Sequence, residues 1–218
     1  MRASPLWLMA VVPGMWDVAA PPPAQAPCSI AVELDVTAPI GSGHLELRVM
    51  TGEVERVWAP YGLTFCWTRT GEGCDGFEVR LRVRVVEAAV LPAASGGRAP
   101  DALGWILFVG DRPGRDIELS ASAARSLVAR ARLGFRPLAA WPPSVGEPYV
   151  PRVLGRGLAH EIGHFVLGTR AHTRTGLMAP SFQPDRVVLE GLSRFALPRP
   201  VGQGIRSRCT GARLARSM

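Results

Sequence analysis

Apolar residues alternate with arginine through "FEVRLRVRVVEA" (77–88), the two-residue period of a strand that buries one face. "SIAVELDV" (29–36) alternates in the same way, and "LTFCW" (63–67), "ALGWILFVG" (102–110) and "DIEL" (116–119) read as further strands. After the first of these, Leu47, Met50, Val54, Val57 and Trp58 recur at helical spacing, which predicts a helix from His44 stopped by Pro60 and Gly62. An amphipathic helix follows "DIEL", with Ser120 and Ser122 both placed to cap it. A proline-rich loop (137–151) leads to a helix whose apolar residues include Ile162, Phe165, Val166 and Leu167. "PDRVVLEGLSRFAL" (184–197) reads as one more helix, with Pro184 and Asp185 in capping positions. Strands come first and helices dominate later, the order of an α+β domain.

The first residues do not fit this pattern. Arg2, the apolar run from Leu6 to Val12 and the small residues up to Ala26 have the plan of a secretory signal peptide over 1–26. No apolar run approaches the length of a membrane span. A secreted or periplasmic location is therefore expected, and the four cysteines suit an oxidising compartment. Cys66 and Cys74 flank the glycine-rich "WTRTGEG" and suit a local bridge, leaving Cys28 and Cys209 to tie the ends together. The spacing alone leaves other pairings open.

The formal net charge of +7 raises the question of a nucleic-acid partner. All 25 basic residues are arginine, and they are scattered along the chain without a basic run, as a GC-rich coding sequence would produce. With no recognition motif beside them, no nucleic acid is expected. Histidine is distributed very differently. Three of the four lie in "GLAHEIGHFVLGTRAHTRTGLMAP" (157–180), and the fourth, His44, opens a helix and reads as a surface residue.

Positions four apart share a helix face, so His160 and His164 can hold one metal ion between their imidazoles. Glu161, one position on, can reach a water on that ion without ligating it. In such H-E-x-x-H sites zinc polarises a scissile carbonyl and lowers the pKa of its water to about 7. The glutamate takes the water's proton and later passes it to the leaving amine. Zinc needs a third protein ligand. Gly168 can end the helix in a left-handed turn and bring His172 back toward the ion. The rival is Glu190, further along, whose surroundings lack an E-x-x-x-D pattern.

His160, Glu161, His164, Gly168, His172 and then "GLMAP" with Met178 resemble the metzincin metalloproteases, matrixin-like sequences most closely. Here the glycine comes one position late and the third histidine two late. The resemblance implies a single zincin-like domain over 27–218, a twisted mixed sheet packed on the motif helix, and a small helical C-terminal part. It also implies one catalytic zinc, Met178 beneath the site in a Met-turn, and a monomer that hydrolyses peptide or protein substrates. Substrate would lie as an extended strand on a sheet edge, for which "ALGWILFVG" and "DIEL" are candidates. Neither Tyr61 nor Tyr149 follows the Met-turn to assist the chemistry; Phe182 stands near that place. The alternative is a catalytically silent zinc domain acting as a binding or structural module, against which the intact Glu161 argues.

Overall fold

The computed structural model describes residues 28–37, 44–69, 74, 77, 79–88 and 102–210, with only the backbone at 44–45 and 206–210. The expected signal peptide lies outside the described residues. Five strands form one sheet in the order β2-β1-β3-β5-β4: β1 (Cys28–Val36), β2 (Leu63–Arg69), β3 (Val79–Val86), β4 (Gly104–Val109) and β5 (Arg112–Ser120). All neighbours run parallel except β4, which pairs antiparallel with β5 on the outer edge. The fold is mixed α and β, as the pattern of periods indicates.

Alternation in β3 sends Val79, Leu81, Val83 and Val85 into the core and Arg80, Arg82 and Arg84 to the opposite face. That outer face is a charge ladder. Register places Glu33 and Asp35 of β1 beside Arg82 and Arg84, and Asp116 and Glu118 of β5 on their other side. Arg82 meets Asp116 at 3.1 Å and Arg84 meets Glu118 at 2.8 Å. Opposite charges on neighbouring strands suit a solvated sheet face.

The inner face carries α1 (His44–Trp58) and the long helix α4 (Val150–Leu167), which pack on each other; α2 (Ala121–Arg130) flanks α4. Ser120 is the N-cap of α2, its hydroxyl accepting from the Ala123 amide at 3.1 Å; Ser122 instead hydrogen-bonds Ser120. From Val150 to Val166 only Arg152 is not buried, so α4 is covered on all sides. Two glycines make that approach close enough. A β-carbon at Gly155 would lie 2.5 Å from the Met50 carbonyl of α1, and one at Gly157 would lie 2.5 Å from Leu103.

Short elements that carry no long apolar period complete the chain. These are a two-residue hairpin, β6 (Arg132–Leu133) and β7 (Arg136–Pro137), then α3 (Pro143–Gly146), α5 (Pro184–Leu189) and α6 (Arg199–Thr210). The helix expected over 184–197 is two pieces: α5 ends at Leu189 and a 3-10 turn follows at Leu192–Phe195. Asp185 does not cap it. Its carboxylate accepts from the backbone amide of Arg132 at 2.7 Å, tying α5 to the small hairpin. "DIEL" is no edge either, because β5 is paired on both sides.

Cys66 and Cys74 form a disulfide, and Cys28 is also disulfide-bonded. The side chain of Cys209, its expected partner, lies outside the described residues. No helix among the described residues is long and apolar enough to cross a membrane.

Candidate metal centre

α4 ends at Gly168, which takes the left-handed conformation (φ 64°) and closes the helix with its amide on the carbonyls of His164 and Phe165. The chain then folds back through a turn in which the Ala171 amide donates to the Thr169 hydroxyl at 3.0 Å. This turn absorbs the longer spacer and delivers His172. The ligand-capable atoms of His160, His164 and His172 all lie within 4.8 Å of one another, the arrangement of a group that can hold a metal ion.

The ring nitrogens are sorted by their partners. His160 Nδ1 is 2.7 Å from the Leu177 carbonyl and His164 Nδ1 is 2.8 Å from the Thr169 carbonyl. A carbonyl only accepts, so both Nδ1 atoms carry the proton and both Nε2 atoms present lone pairs. Those two Nε2 atoms face each other at 3.1 Å. Two lone pairs at that distance repel unless a cation lies between them. The separation is close to the roughly 3.3 Å between ligand atoms in a tetrahedron with bonds of 2.0–2.1 Å. Backbone carbonyls behind the rings fix tautomer and orientation, as outer partners of ligating histidines do. Burial holds His160 at about 4 and His164 below its ordinary pKa, and partial desolvation lowers that of the more exposed His172, so all three are neutral and able to donate near neutral pH.

Met178 arrives by a second turn. The Thr173 amide donates to the Met178 carbonyl at 2.8 Å, and Gly176 (φ 84°) sits so close to the Ala196 carbonyl that a β-carbon would lie 2.4 Å from it. The buried Met178 sulfur then packs under α4 at Gly163, where a β-carbon would meet it at 2.3 Å. Glycine inside the H-E-x-x-H motif is thus what admits the methionine. The same turn supplies the Leu177 carbonyl that orients His160.

These residues open onto a cleft of about 780 Å³ between α4, the edge strand β4 and the wall from Ala179 to Pro184. Glu161 is buried in it, with its carboxyl toward the backbone of Ile106 in β4. Burial raises the Glu161 pKa from 4.5 to about 8, opposed in part by the Ile106 hydrogen bond. Phe182 lies edge-on to His160 with ring centres 5.5 Å apart. Glu190 lies elsewhere: it lines a neighbouring cavity, 3.9 Å from Arg186 and 3.7 Å from Arg194, and is not part of the three-histidine group. Tyr61 is structural, its hydroxyl accepting from the Leu197 amide at 2.7 Å, and Tyr149 stacks with Arg152.

Sequence reasoning misses four supports of this site: Leu177, Thr169, Ile106 and the pair Glu53–Arg156. The first three act through the backbone, which no side-chain pattern announces. Arg156 does leave a trace, as a second cation, after Arg152, one turn before His160 in a helix rich in apolar residues.

The buried Glu161 makes a prediction whose sign is fixed. In the metal-free chain the folded state keeps this proton after the unfolded chain has released it. The contribution to stability is complete below pH 4.5 and is lost as pH rises to about 8. Buried neutral His160 has the opposite sign, losing its contribution as pH falls from 6.5 through about 4, but it is common to both proteins compared. In chelator, the unfolding midpoint of wild type is expected to drop relative to Glu161→Gln across this rise; parallel curves would exclude a buried acid.

No protein-family model matches the chain, and comparison with curated proteins finds no match.

Proposed function

We propose that this protein is a secreted zinc metalloendopeptidase with a zincin-like fold of metzincin type. The observation that carries the reading is the convergence of His160, His164 and His172, all neutral near pH 7, beside Glu161 in a cleft bordered by a sheet edge. A donor set of three imidazoles suits zinc, with a position left for water or substrate. When bound there, zinc supplies Lewis acidity to a water and to the scissile carbonyl. The charge of a bound dication would favour the ionised form of Glu161, and as a carboxylate Glu161 would accept the water's proton and return it to the leaving amine. The Ile106 amide and the burial of Glu161 hold its carboxyl in place between these two transfers. His160 and His164 are kept in the donating tautomer by the Leu177 and Thr169 carbonyls.

The mixed sheet packed on the motif helix, the antiparallel edge strand along the cleft and Met178 beneath Gly163 support the family resemblance. Substrate lies extended along β4, whose outer side has no partner strand among the described residues. The disulfides favour an oxidising compartment.

The test is metal removal. Purified protein is expected to carry one zinc and to cleave members of an unbiased peptide library. Chelation is expected to abolish cleavage, and one equivalent of zinc to restore it. Zinc binding without cleavage of any peptide would leave a zinc-stabilised binding module instead. Absence of stoichiometric zinc would end the reading.

A further inference from the structure

We propose that Arg170 is a positioning residue for the metal centre: it clips the loop that carries His172 to the end of β4, so that the third ligand is preorganised for the ion. This rests on the zinc reading above and deepens it. His160 and His164 each have a backbone carbonyl behind Nδ1, from Leu177 and Thr169. Among the described residues His172 has no such outer partner, and it is the exposed member of the three. Its ring meets the other two imidazoles, with ring centres 5.3 Å from His160 and 4.9 Å from His164. Its place therefore depends on the backbone of the loop at 168–173. A loop residue left free would have to be ordered by the ion itself, at a cost in affinity.

Backbone bonds hold the two ends of that loop. The Thr169 amide donates to the His164 carbonyl at 3.3 Å, and the Thr173 amide donates to the Met178 carbonyl at 2.8 Å. Between them Arg170 reaches across to β4. Its guanidinium stacks 4.7 Å over the Phe108 ring, and one Nη donates to the Gly110 carbonyl. A planar fork held by a stack and a hydrogen bond together has little freedom left. This end of the strand needs a tie. The register of β4 and β5 shifts between Ile106 and Phe108, and Phe108 stands opposite Pro113, which has no N–H to give the ladder. Phe108 also meets the His164 ring edge-on, with ring centres 6.2 Å apart. One guanidinium and one ring thus join the His172 loop, the edge strand and the second ligand along the lining of the cleft. The guanidinium has no lone pair to offer a metal, so Arg170 acts through His172.

Arg170 could instead be a general prop of the fold, and metal affinity separates the two roles. Full-length protein is stripped with chelator, and zinc is titrated back against a competing chromophoric chelator. Arg170→Ala is expected to weaken zinc binding about 10–100-fold, the scale for losing an outer partner of a ligand. Its unfolding midpoint in chelator should stay at the wild-type value. Arg170→Lys keeps a cation for the ring but not the planar fork, and should recover part of the affinity. Arg136→Ala removes a comparable stack, on Trp141 and outside the three-histidine group, and should leave zinc affinity unchanged. Wild-type zinc affinity in Arg170→Ala, or an equal loss in Arg136→Ala, overturns the proposal. A metal-free midpoint that falls along with the affinity makes Arg170 a prop of the fold and overturns it too. Peptide cleavage by the same proteins keeps the two readings apart. Zinc weakened by Arg170→Ala with no cleavage by wild type sinks the hydrolase alone. An active Arg170→Ala protein of wild-type zinc affinity sinks this inference alone, and a wild type that takes up no zinc ends both.

Discussion

Glu161→Gln is expected to retain one equivalent of metal while kcat for peptide hydrolysis falls by about 10²–10⁴, the usual range for losing a positioned general acid–base. The substitution keeps the size of the side chain and its place beside Ile106, but removes the group that accepts a proton. The companion variant His172→Ala should behave in the opposite order. With one donor of three removed, metal affinity should fall by more than the roughly 10–100-fold that losing an outer hydrogen-bond partner costs. Activity at limiting zinc would then disappear with the metal. Both are read by metal analysis after dialysis and by steady-state cleavage of one good substrate. A Glu161→Gln protein of wild-type activity would remove the proposed base. A His172→Ala protein of wild-type zinc affinity would move the third ligand elsewhere, and Glu190 would become the residue to examine.

Glu53→Ala should destabilise the fold by about 3–5 kcal/mol, the cost of leaving one member of a buried ion pair alone. Glu53 and Arg156 are 1% and 2% exposed, and Arg156 Nε donates to Glu53 at 2.6 Å. Arg156 also donates to the carbonyls of Val187 at 2.9 Å and Arg186 at 3.3 Å, and its guanidinium lies 4.5 Å from the centre of the Phe195 ring. Arg56 adds a second ion pair to Glu53 from the next turn of α1. Burial, helped by the charges of Arg152 and Arg56, lowers the Arg156 pKa, and Glu53 opposes that shift. One guanidinium thus joins α1, α4 and α5, and α5 follows directly from the wall of the cleft. In a chain of this size the loss corresponds to a fall in Tm on the order of 10 °C. The double variant Glu53→Met/Arg156→Leu should recover much of it, because a well-packed apolar pair no longer bears a desolvated charge. If Glu53→Ala costs under about 1 kcal/mol by denaturant titration, the pair is more solvated than the geometry shows.

The elements that sequence located well are those whose period is driven by burial of one face. The alternation of β3 and the helical spacing of Met50, Val54 and Trp58 are repeated signals, and each repetition restates which face is wet. The elements missed or misjudged have no such repetition. The hairpin at Arg132–Pro137 is two residues to a strand. α5 stops after Leu189, and the turn that follows is held by local backbone bonds rather than by an apolar stripe. Asp185 looked like a cap because its position fits one, and only the fold shows the Arg132 amide competing for it.

The sequence by itself determined the chemistry on offer: two histidines on one helix face, a glutamate beside them, and a glycine where the helix must end. These follow from helix geometry over a single turn, where distance along the chain fixes distance in space. Only the tertiary structure decided that His172 rather than Glu190 joins the pair, and that β4, an edge strand among the described residues, borders the cleft. Those facts depend on loop paths and strand order. There, residues far apart in the chain are brought together by packing, and local spacing carries no information about the outcome.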